Sequence, residues 1–186
     1  MIGFALCGSF CTHANALSAL RQLVEIGEDV LPILSNIAAN TDTRFGTAKS
    51  LEAKLTHLCH RSPIKTIPDA EPLGPAIPLE ALIIAPCTGN TLAKLSQGIT
   101  DTPVCMAAKA HLRCDRPLLI ALASNDALSA NLKNIALLLN RKNVYFVPMC
   151  QDSPADKPHS LVADFTLIPS ALKAAREGQQ MRPLFR

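Results

Sequence analysis

The sequence predicts an α/β protein with a three-layer, Rossmann-like fold, in which helices cover both faces of a mostly parallel sheet. Short apolar segments alternate along the chain with longer segments whose leucines recur at helical spacing. The apolar segments are continuous, as in strands that are buried on both sides. The chain has 186 residues, of which 48% are hydrophobic, and this suits one domain spanning residues 1–186 with a sizeable core.

The first half of the chain follows this alternation. Each predicted strand is a short apolar segment that ends at small or polar residues, and each predicted helix places leucines on one face. In chain order the elements are strand Ile2–Cys7, helix Ala14–Ile26, strand Val30–Leu34, helix Thr47–Cys59 and a short strand at Ile64–Ile67. The proline-rich stretch 66–78 is too rigid for a helix and predicts a surface loop.

The second half continues the pattern around a strongly apolar fourth strand. In chain order its elements are strand Leu82–Ala85, a helix that includes Thr91–Ser96, strands Val104–Ala107 and Leu118–Ala123, helix Asp126–Leu139, strand Val144–Val147 and helix Pro169–Glu177. Stretch 150–160 predicts a second loop. Alternating strands and helices form strand–helix–strand units with right-handed crossovers. This order therefore predicts a parallel sheet with helices on both faces.

Composition excludes several classes of function. The formal net charge is only +3 and no dense block of Lys and Arg occurs, so a nucleic-acid role is not expected. No apolar run approaches the roughly 20 residues that span a bilayer. The start, MIGFALCG, lacks a basic segment and a cleavage site, so it predicts a strand and not a signal peptide. The seven cysteines are an odd number, and several lie in apolar runs, which indicates reduced thiols in a cytoplasmic protein.

A metal site is the weaker interpretation of the cysteines. Cys7, Cys11 and His13 lie close together, and Cys59 precedes His60, but no paired CxxC spacing occurs. Buried or loop thiols without a metal are therefore expected.

Ligands of an open parallel sheet bind beyond the carboxyl ends of its strands. Gly8, Ser9, Cys11 and Thr12 follow the first strand and precede a helix, where free N–H groups and the helix dipole bind a phosphate. A plain tight turn with a helix cap is the alternative. The dinucleotide-binding and Walker motifs do not fit, because the positions that need glycine hold larger residues.

A patch of small and polar residues, Pro86–Thr91, follows the fourth strand. It allows a flat ligand to lie against the backbone, and Asn90 offers the donor and acceptor that a carbonyl-and-imide ring edge requires. Capping of the next helix by Asn90 and Thr91 is the alternative. Cys11 and Cys87 have no obvious His–carboxylate partner, so packing or ligand contact is expected of them, and not nucleophilic catalysis.

Two segments, IIAPCTGNTLAKLSQGITD at 83–101 and CGSFCTHA at 7–14, resemble motifs of the FMN-binding flavoprotein family. That family includes phosphopantothenoylcysteine decarboxylase and the lantibiotic cysteine decarboxylases. The resemblance implies a cytosolic homo-oligomer, a trimer or dodecamer, with FMN at a subunit interface. The residues that it assigns to FMN are Gly8, Ser9, Cys11, Thr12, Ser35, Pro86, Cys87, Thr88 and Asn90.

The resemblance extends from Gly3 to about Leu184 through NTDTRFG, AEPLGP, KNIALLLN and HSLVAD. It is closest to one branch of the family. That branch implies a second subunit that resembles an NAD(P)-binding dehydrogenase, and oxidation of a small dicarboxylate.

The chain departs from the decarboxylases in two places. No His occurs shortly before the fourth strand, and Met106–Lys109 stands where we expect the family's Pro-Ala-Met-Asn clamp, so cysteine decarboxylation is not expected. Lys109, His111 and Arg113 follow the predicted fifth strand and are candidate ligands for two carboxylates. A solvated basic loop is the alternative.

No catalytic residue is assigned from the sequence. Two hypotheses remain: an oxidoreductase subunit with a working FMN pocket, or a non-catalytic partner of the dehydrogenase-like subunit with a vestigial pocket.

Overall fold

A seven-stranded, mostly parallel sheet organises the computed structural model, which describes all 186 residues. Its strands are β1 Ile2–Leu6, β2 Val30–Leu34, β3 Leu82–Cys87, β4 Leu118–Ser124, β5 Val144–Phe146, β6 Met149–Cys150 and β7 Leu161–Ala163. The order is β2-β1-β3-β4, and β4 then pairs with parallel β5 along its first half and antiparallel β7 at its end. The parallel order 2-1-3-4-5 is that of doubly wound folds. The predicted fold class is confirmed.

Helices cover both faces of this sheet. They are α1 His13–Glu25, α2 Asn36–Asn40, α3 Ala48–Cys59, α4 Ile67–Ala70, α5 Gly89–Gln97, α6 Pro103–Leu112, α7 Leu132–Leu139 and α8 Ile168–Arg176. Because successive strand residues point to opposite faces, Phe4 and Leu6 pack with α1, α3 and α8, whereas Ala5 packs with α5, α6 and α7. The core is therefore divided into two clusters by the sheet. No helix is both long and apolar enough to cross a membrane.

The predicted fifth strand, Val104–Ala107, is wrong, because this segment lies inside helix α6. The Thr102 hydroxyl caps the helix by accepting a hydrogen bond from the Cys105 amide, and Pro103 occupies the first helical position. The helix is buried on most sides, so its apolar run has no clear helical period. A short apolar run of this kind does not distinguish a buried helix from a buried strand.

The predicted third strand, Ile64–Ile67, is also wrong. Ile64 makes a single bridge to Ile33 at the edge of the sheet, and Thr66 then caps the short helix α4. The predicted helix Asp126–Leu139 begins only at Leu132, because residues 125–131 form turns. Strands β6 and β7 flank the predicted loop at 150–160 and are only two and three residues long. Strands this short carry no detectable periodicity.

Gly74 allows the proline-rich segment to pack closely on α6. Its φ is 108°, and a Cβ atom would lie 2.4 Å from the carbonyl oxygen of Ala110. At Gly27, φ is 92° but no atom lies within 4 Å of a Cβ position. Both glycines have a positive φ that disfavours other residues, but only at Gly74 would a side chain also collide with its neighbours.

We expect Gly74→Ala to destabilise the protein more than Gly27→Ala. Both variants lose about 1–2 kcal/mol from the left-handed backbone, and Gly74→Ala loses a further ~1–3 kcal/mol from overpacking. Urea unfolding monitored by circular dichroism measures the difference. Equal free energies of unfolding for the two variants would contradict the close packing of this segment on α6.

Candidate functional site

The region between the carboxyl ends of β1 and β3, the crevice, lies where the strand order reverses. The connection after β1 leads to β2 on one side, and the chain then crosses to β3 on the other side. The Cys7 amide donates to Pro86 O at 3.2 Å, and a Cβ on Gly8 would lie 3.4 Å from Thr88 Cγ2. The two loops therefore face each other at the topological switch point, where doubly wound folds bind their ligands.

The loop after β1 exposes a run of free amides. Ser9 adopts a left-handed conformation with φ of 59°, and Phe10–Thr12 forms a 3₁₀ turn that leads into α1. The Thr12 hydroxyl donates to Ser9 O at 2.8 Å and holds this turn. The four amides of Gly8, Ser9, Phe10 and Cys11 donate to no acceptor in the chain. Four unpaired N–H groups at the start of a helix suit an anion.

Residues at the end of β3 form the opposite wall. Thr88, not Asn90 or Thr91, caps α5, since its hydroxyl accepts from the Thr91 amide at 3.2 Å. Asn90 is exposed, and its side-chain amide has no hydrogen-bond partner in the chain. It is therefore free to bind a ligand edge. Pro86, at the end of β3, is buried.

A hydrogen-bonded cluster at the end of β4 extends the site beyond the residues assigned from the sequence. Ser124 Oγ and Asn131 Nδ2 both donate to the carboxylate of Asp126. This cluster packs against Gly89, where a Cβ would lie within 2.8 Å of all three side chains. The signal in the sequence was a polar segment, Ser124–Asp126, directly after a strand, but nothing there indicated its contact with α5.

Hydrogen bonds set the charge of this cluster. The Ser124 hydroxyl, and to a smaller degree the Asn131 amide, lower the pKa of Asp126 below its usual range, while partial burial opposes them. Asp126 is therefore a carboxylate at neutral pH.

The buried thiols at the floor of the crevice are protonated. Burial raises the pKa of Cys7 to about 12, although the Thr91 hydroxyl lies 3.2 Å from its sulfur. Burial also raises the pKa of Cys87 well above its usual range. Neither thiol is a nucleophile at neutral pH, because the thiolate is the reactive form. Cys11, by contrast, is exposed at the rim of the β1 loop.

Ser35 follows β2 and lies beside the β1 loop. Its amide donates to Leu6 O at 2.9 Å, and its hydroxyl caps α2 by accepting from the Ala38 amide. The residue is buried. Its hydroxyl keeps a hydrogen that it can still donate.

Lys109, His111 and Arg113 do not follow a strand, although the sequence predicts one before them. Lys109 and His111 lie in the last turn of α6, and Arg113 is its C-cap. His111 is fully buried and donates from Nε2 to Pro117 O at 2.9 Å, directly before β4 begins, whereas Lys109 and Arg113 are exposed. Burial lowers the pKa of His111. Because α6 runs against the strands, these residues lie at the amino edge of the sheet, opposite the crevice.

No group of three or more His, Cys, Asp or Glu side chains is arranged to hold a metal ion. Cys7 and His13 are both close to the β1 loop, but the His13 ring is hydrogen-bonded to backbone carbonyls.

A doubly wound sheet whose first loop presents four unpaired amides at the switch point defines the class of protein, and comparison with known proteins identifies the family. The family described as Flavoprotein matches residues 2–168. The B subunit of dipicolinate synthase from Bacillus subtilis (strain 168) is 41% identical over 183 residues, which is 98% of this chain and 92% of the relative. The chain therefore belongs to the flavoprotein family.

Solved structures agree with this assignment. The crystal structure of the dipicolinate synthase B subunit from Bacillus halodurans C has a TM-score of 0.91 and 40% identity, over 100% of this chain and 95% of that one. The FMN-dependent cysteine decarboxylase SpaF has the same fold, with a TM-score of 0.63 and 22% identity over 94% and 95% of the two chains.

Replacing Asp126 tests the cluster at the end of β4. We expect Asp126→Asn to lower the free energy of unfolding at neutral pH by about 1 kcal/mol, because a partly exposed, charge-assisted pair of hydrogen bonds is lost. A carboxyl whose pKa is lower in the folded state stabilises the fold above its unfolded pKa, near 3.8, and this stabilisation disappears as pH falls through the folded pKa. The difference from wild type should therefore shrink below pH 3.8. Urea unfolding across this pH range, with the exposed Glu177→Gln as the matched control, measures the effect. If the difference in free energy of unfolding between the variant and wild type is independent of pH, it does not come from the ionised Asp126 carboxylate.

Proposed function

We propose that residues 1–186 form one flavoprotein domain that is the B subunit of a dipicolinate synthase. In this proposal it binds FMN and acts with an NAD(P)-binding A subunit to oxidise dihydrodipicolinate to dipicolinate. The relative at 41% identity over nearly the whole chain supports the assignment. The observation that carries the FMN part is the run of four unpaired amides in the β1 loop, opposite Thr88 and Asn90.

The β1 loop fits the phosphate of FMN. Gly8, Ser9, Cys11 and Thr12 lie between a strand and the N-terminus of the 13-residue helix α1, whose dipole favours an anion. Ser35 adds a hydroxyl from the neighbouring strand end. No acidic side chain interrupts the loop.

The β3 loop fits the ring of a flavin. Thr88 and Gly89 are small residues and leave room for a ring beside them. The free amide of Asn90 offers a donor and an acceptor to the ring edge. Pro86 and Cys87 are the buried, apolar last residues of β3 beside this loop. FMN, when bound, supplies a two-electron acceptor, and the residues of this chain bind it, orient it and exclude water from one side.

The remaining parts of the proposal rest on similarity to the B subunit of dipicolinate synthase. The partner is the dipicolinate synthase A subunit, and the substrate is a small dicarboxylate. The protein is a homo-oligomer, a trimer or dodecamer, in the cytoplasm of the mother cell of a sporulating bacterium. The seven free cysteines are compatible with a reducing compartment.

A second function has one observation in its favour. The cations that the sequence assigned to the substrate lie at the far edge of the sheet, away from the crevice between β1 and β3. The chain would then stabilise or activate the A subunit without taking part in the chemistry.

One experiment separates the two functions. The purified protein is titrated with FMN by fluorescence quenching, and dihydrodipicolinate oxidation is then measured with the A subunit, with and without FMN. The enzyme-subunit proposal expects a yellow protein and FMN-dependent turnover. Absence of FMN binding, with full activation of the A subunit, would favour the non-catalytic role.

Asn90→Ala tests the ring contact. We expect the variant to bind FMN about tenfold more weakly, because a buried ligand edge loses a hydrogen-bond partner worth about 1–3 kcal/mol. Asn15→Ala, an exposed position on the outer face of α1, is the matched control. Equal FMN dissociation constants for Asn90→Ala and the control would refute the ring contact.

Gly8→Val tests the narrowness of the crevice. A branched side chain at position 8 would enter the space beside Thr88, since even a Cβ there lies at contact distance. We expect FMN affinity to fall by at least tenfold, about 1.4 kcal/mol, while the circular dichroism spectrum and melting temperature stay close to wild type. Wild-type affinity in this variant would show that FMN does not pass between the two loops.

A further inference from the structure

A second groove lies beside the β1 loop, between α1 and α3, and has a cavity volume of about 150 Å³. Its floor is apolar and includes the buried residues Ala38 and Leu51. Phe10 lies at one side, and Phe45, which is 52% exposed, lies in the loop that closes the other side. An exposed phenylalanine beside an apolar groove favours a flat, apolar ring as its ligand.

The rim of this groove is cationic. Lys54 lines it, and the guanidinium of Arg44 lies 4.9 Å from the centroid of the Phe45 ring. Neither cation takes part in an ion pair with another side chain. No acidic residue lines the groove, whereas threonine and serine hydroxyls do. The groove therefore combines ring-binding surfaces with unpaired positive charge, which suits a ring that carries carboxylates.

His13 lines the same groove with an unpaired ring nitrogen. Its Nε2 lies 2.8 Å from Cys7 O and 3.2 Å from Gly8 O. Carbonyl oxygens only accept hydrogen bonds, so Nε2 carries a hydrogen and the neutral ring has its lone pair on Nδ1. Nδ1 has no partner in the chain and, unlike Nδ1 of His111, is not sealed from solvent. The Phe10 ring, 5.0 Å away between centroids, holds the imidazole from the side.

We propose that this groove binds the dicarboxylate substrate and that His13 accepts a proton from it. Lys54 and Arg44 bind the carboxylates, and Phe10 and Phe45 contact the ring. The proposal rests on the proposed function and assigns the substrate to residues on the carboxyl edge of the sheet, in place of Lys109, His111 and Arg113.

The oxidation of a dihydropyridine dicarboxylate removes two hydrogens. One leaves as a hydride, with two electrons, to the nicotinamide acceptor that the A subunit binds in the proposed function. The other leaves as a proton to Nδ1 of His13, and the electron pair of its broken bond forms the new double bond of the aromatic ring. The resulting imidazolium then returns its proton to solvent, which restores the neutral ring.

Direct binding tests the location. Pyridine-2,6-dicarboxylate is titrated into the full-length wild-type protein by isothermal calorimetry, and then into Lys54→Gln and Arg44→Gln. We expect each variant to bind about tenfold more weakly, because each loses a charge-assisted contact. Lys49→Gln and Arg21→Gln, exposed cations on α3 and α1 outside the groove, are the matched controls. Absence of wild-type binding at millimolar concentration, or equal affinities for variants and controls, would overturn the location.

Kinetics test the proton acceptor. His13→Gln keeps an amide N–H for the backbone carbonyls but has no basic nitrogen. We expect it to bind pyridine-2,6-dicarboxylate within about twofold of wild type, and kcat with the A subunit to fall by at least about 100-fold, as for loss of a general base. His57→Gln, exposed on α3, should keep wild-type kcat. His13→Asn provides a second variant, and retained affinity for the dicarboxylate shows that each variant is folded.

Failure of the role of His13 and failure of the proposed function give different results. If wild-type protein oxidises the substrate and His13→Gln keeps its kcat, the role of His13 is wrong and the proposed function stands. If wild-type protein with the A subunit does not oxidise the substrate at all, both the proposed function and the role of His13 are overturned, and the calorimetry still decides where the dicarboxylate binds.

Discussion

The close contact between Gly89 and the polar turn after β4 sets the geometry of the whole site. A Cβ at this position would overlap Ser124, Asp126 and Asn131, so only glycine allows α5 to begin there. This contact determines the direction in which α5 leaves the sheet, and hence the positions of Thr88 and Asn90. Thr88 in turn sets the width of the crevice against Gly8.

Hydrogen bonds between side chains link this contact to helix α7. The Asn134 amide donates to Asn131 Oδ1 at 2.8 Å, and Ser96 Oγ donates to Asn134 Oδ1 at the same distance. The start of α5, its last turn and the first turn of α7 are thus connected through side chains that are largely buried. Buried polar groups that are all satisfied by one another specify a single arrangement, because any displacement leaves one of them unpaired.

Charge is distributed unevenly around the carboxyl edge of the sheet. The crevice presents unpaired amides, protonated thiols and a neutral amide side chain, and its one ordered carboxylate, Asp126, is held by two donors. The neighbouring groove adds Lys54 and Arg44 without acidic partners. Both regions therefore favour anionic ligands, a property that the mild net charge of +3 does not reveal.

The predictions from sequence were most accurate where local signals were strong, as in the fold class and in the apolar strands β1 to β4. Val30–Leu34 is an apolar run between polar turns, and its predicted bounds are those of β2. Val104–Ala107 was predicted as a strand because it is equally apolar, and the helix signals Thr102 and Pro103 were outweighed by hydrophobicity. The error moved three candidate substrate ligands to the opposite edge of the sheet. Hydrophobic periodicity, helix caps and turn glycines depend on residues that are close in the chain, so they can be recognised from the sequence alone.

Which loops meet was decided only by the folded chain. The crossover from β2 to β3 brings Gly8 against Thr88, and close packing sets Asp126 beside Gly89. The same packing leaves one ring nitrogen without a partner on His13, which lines the groove together with Lys54. Contacts of this kind join residues that are distant in the chain, so they depend on the path of the backbone and not on local sequence.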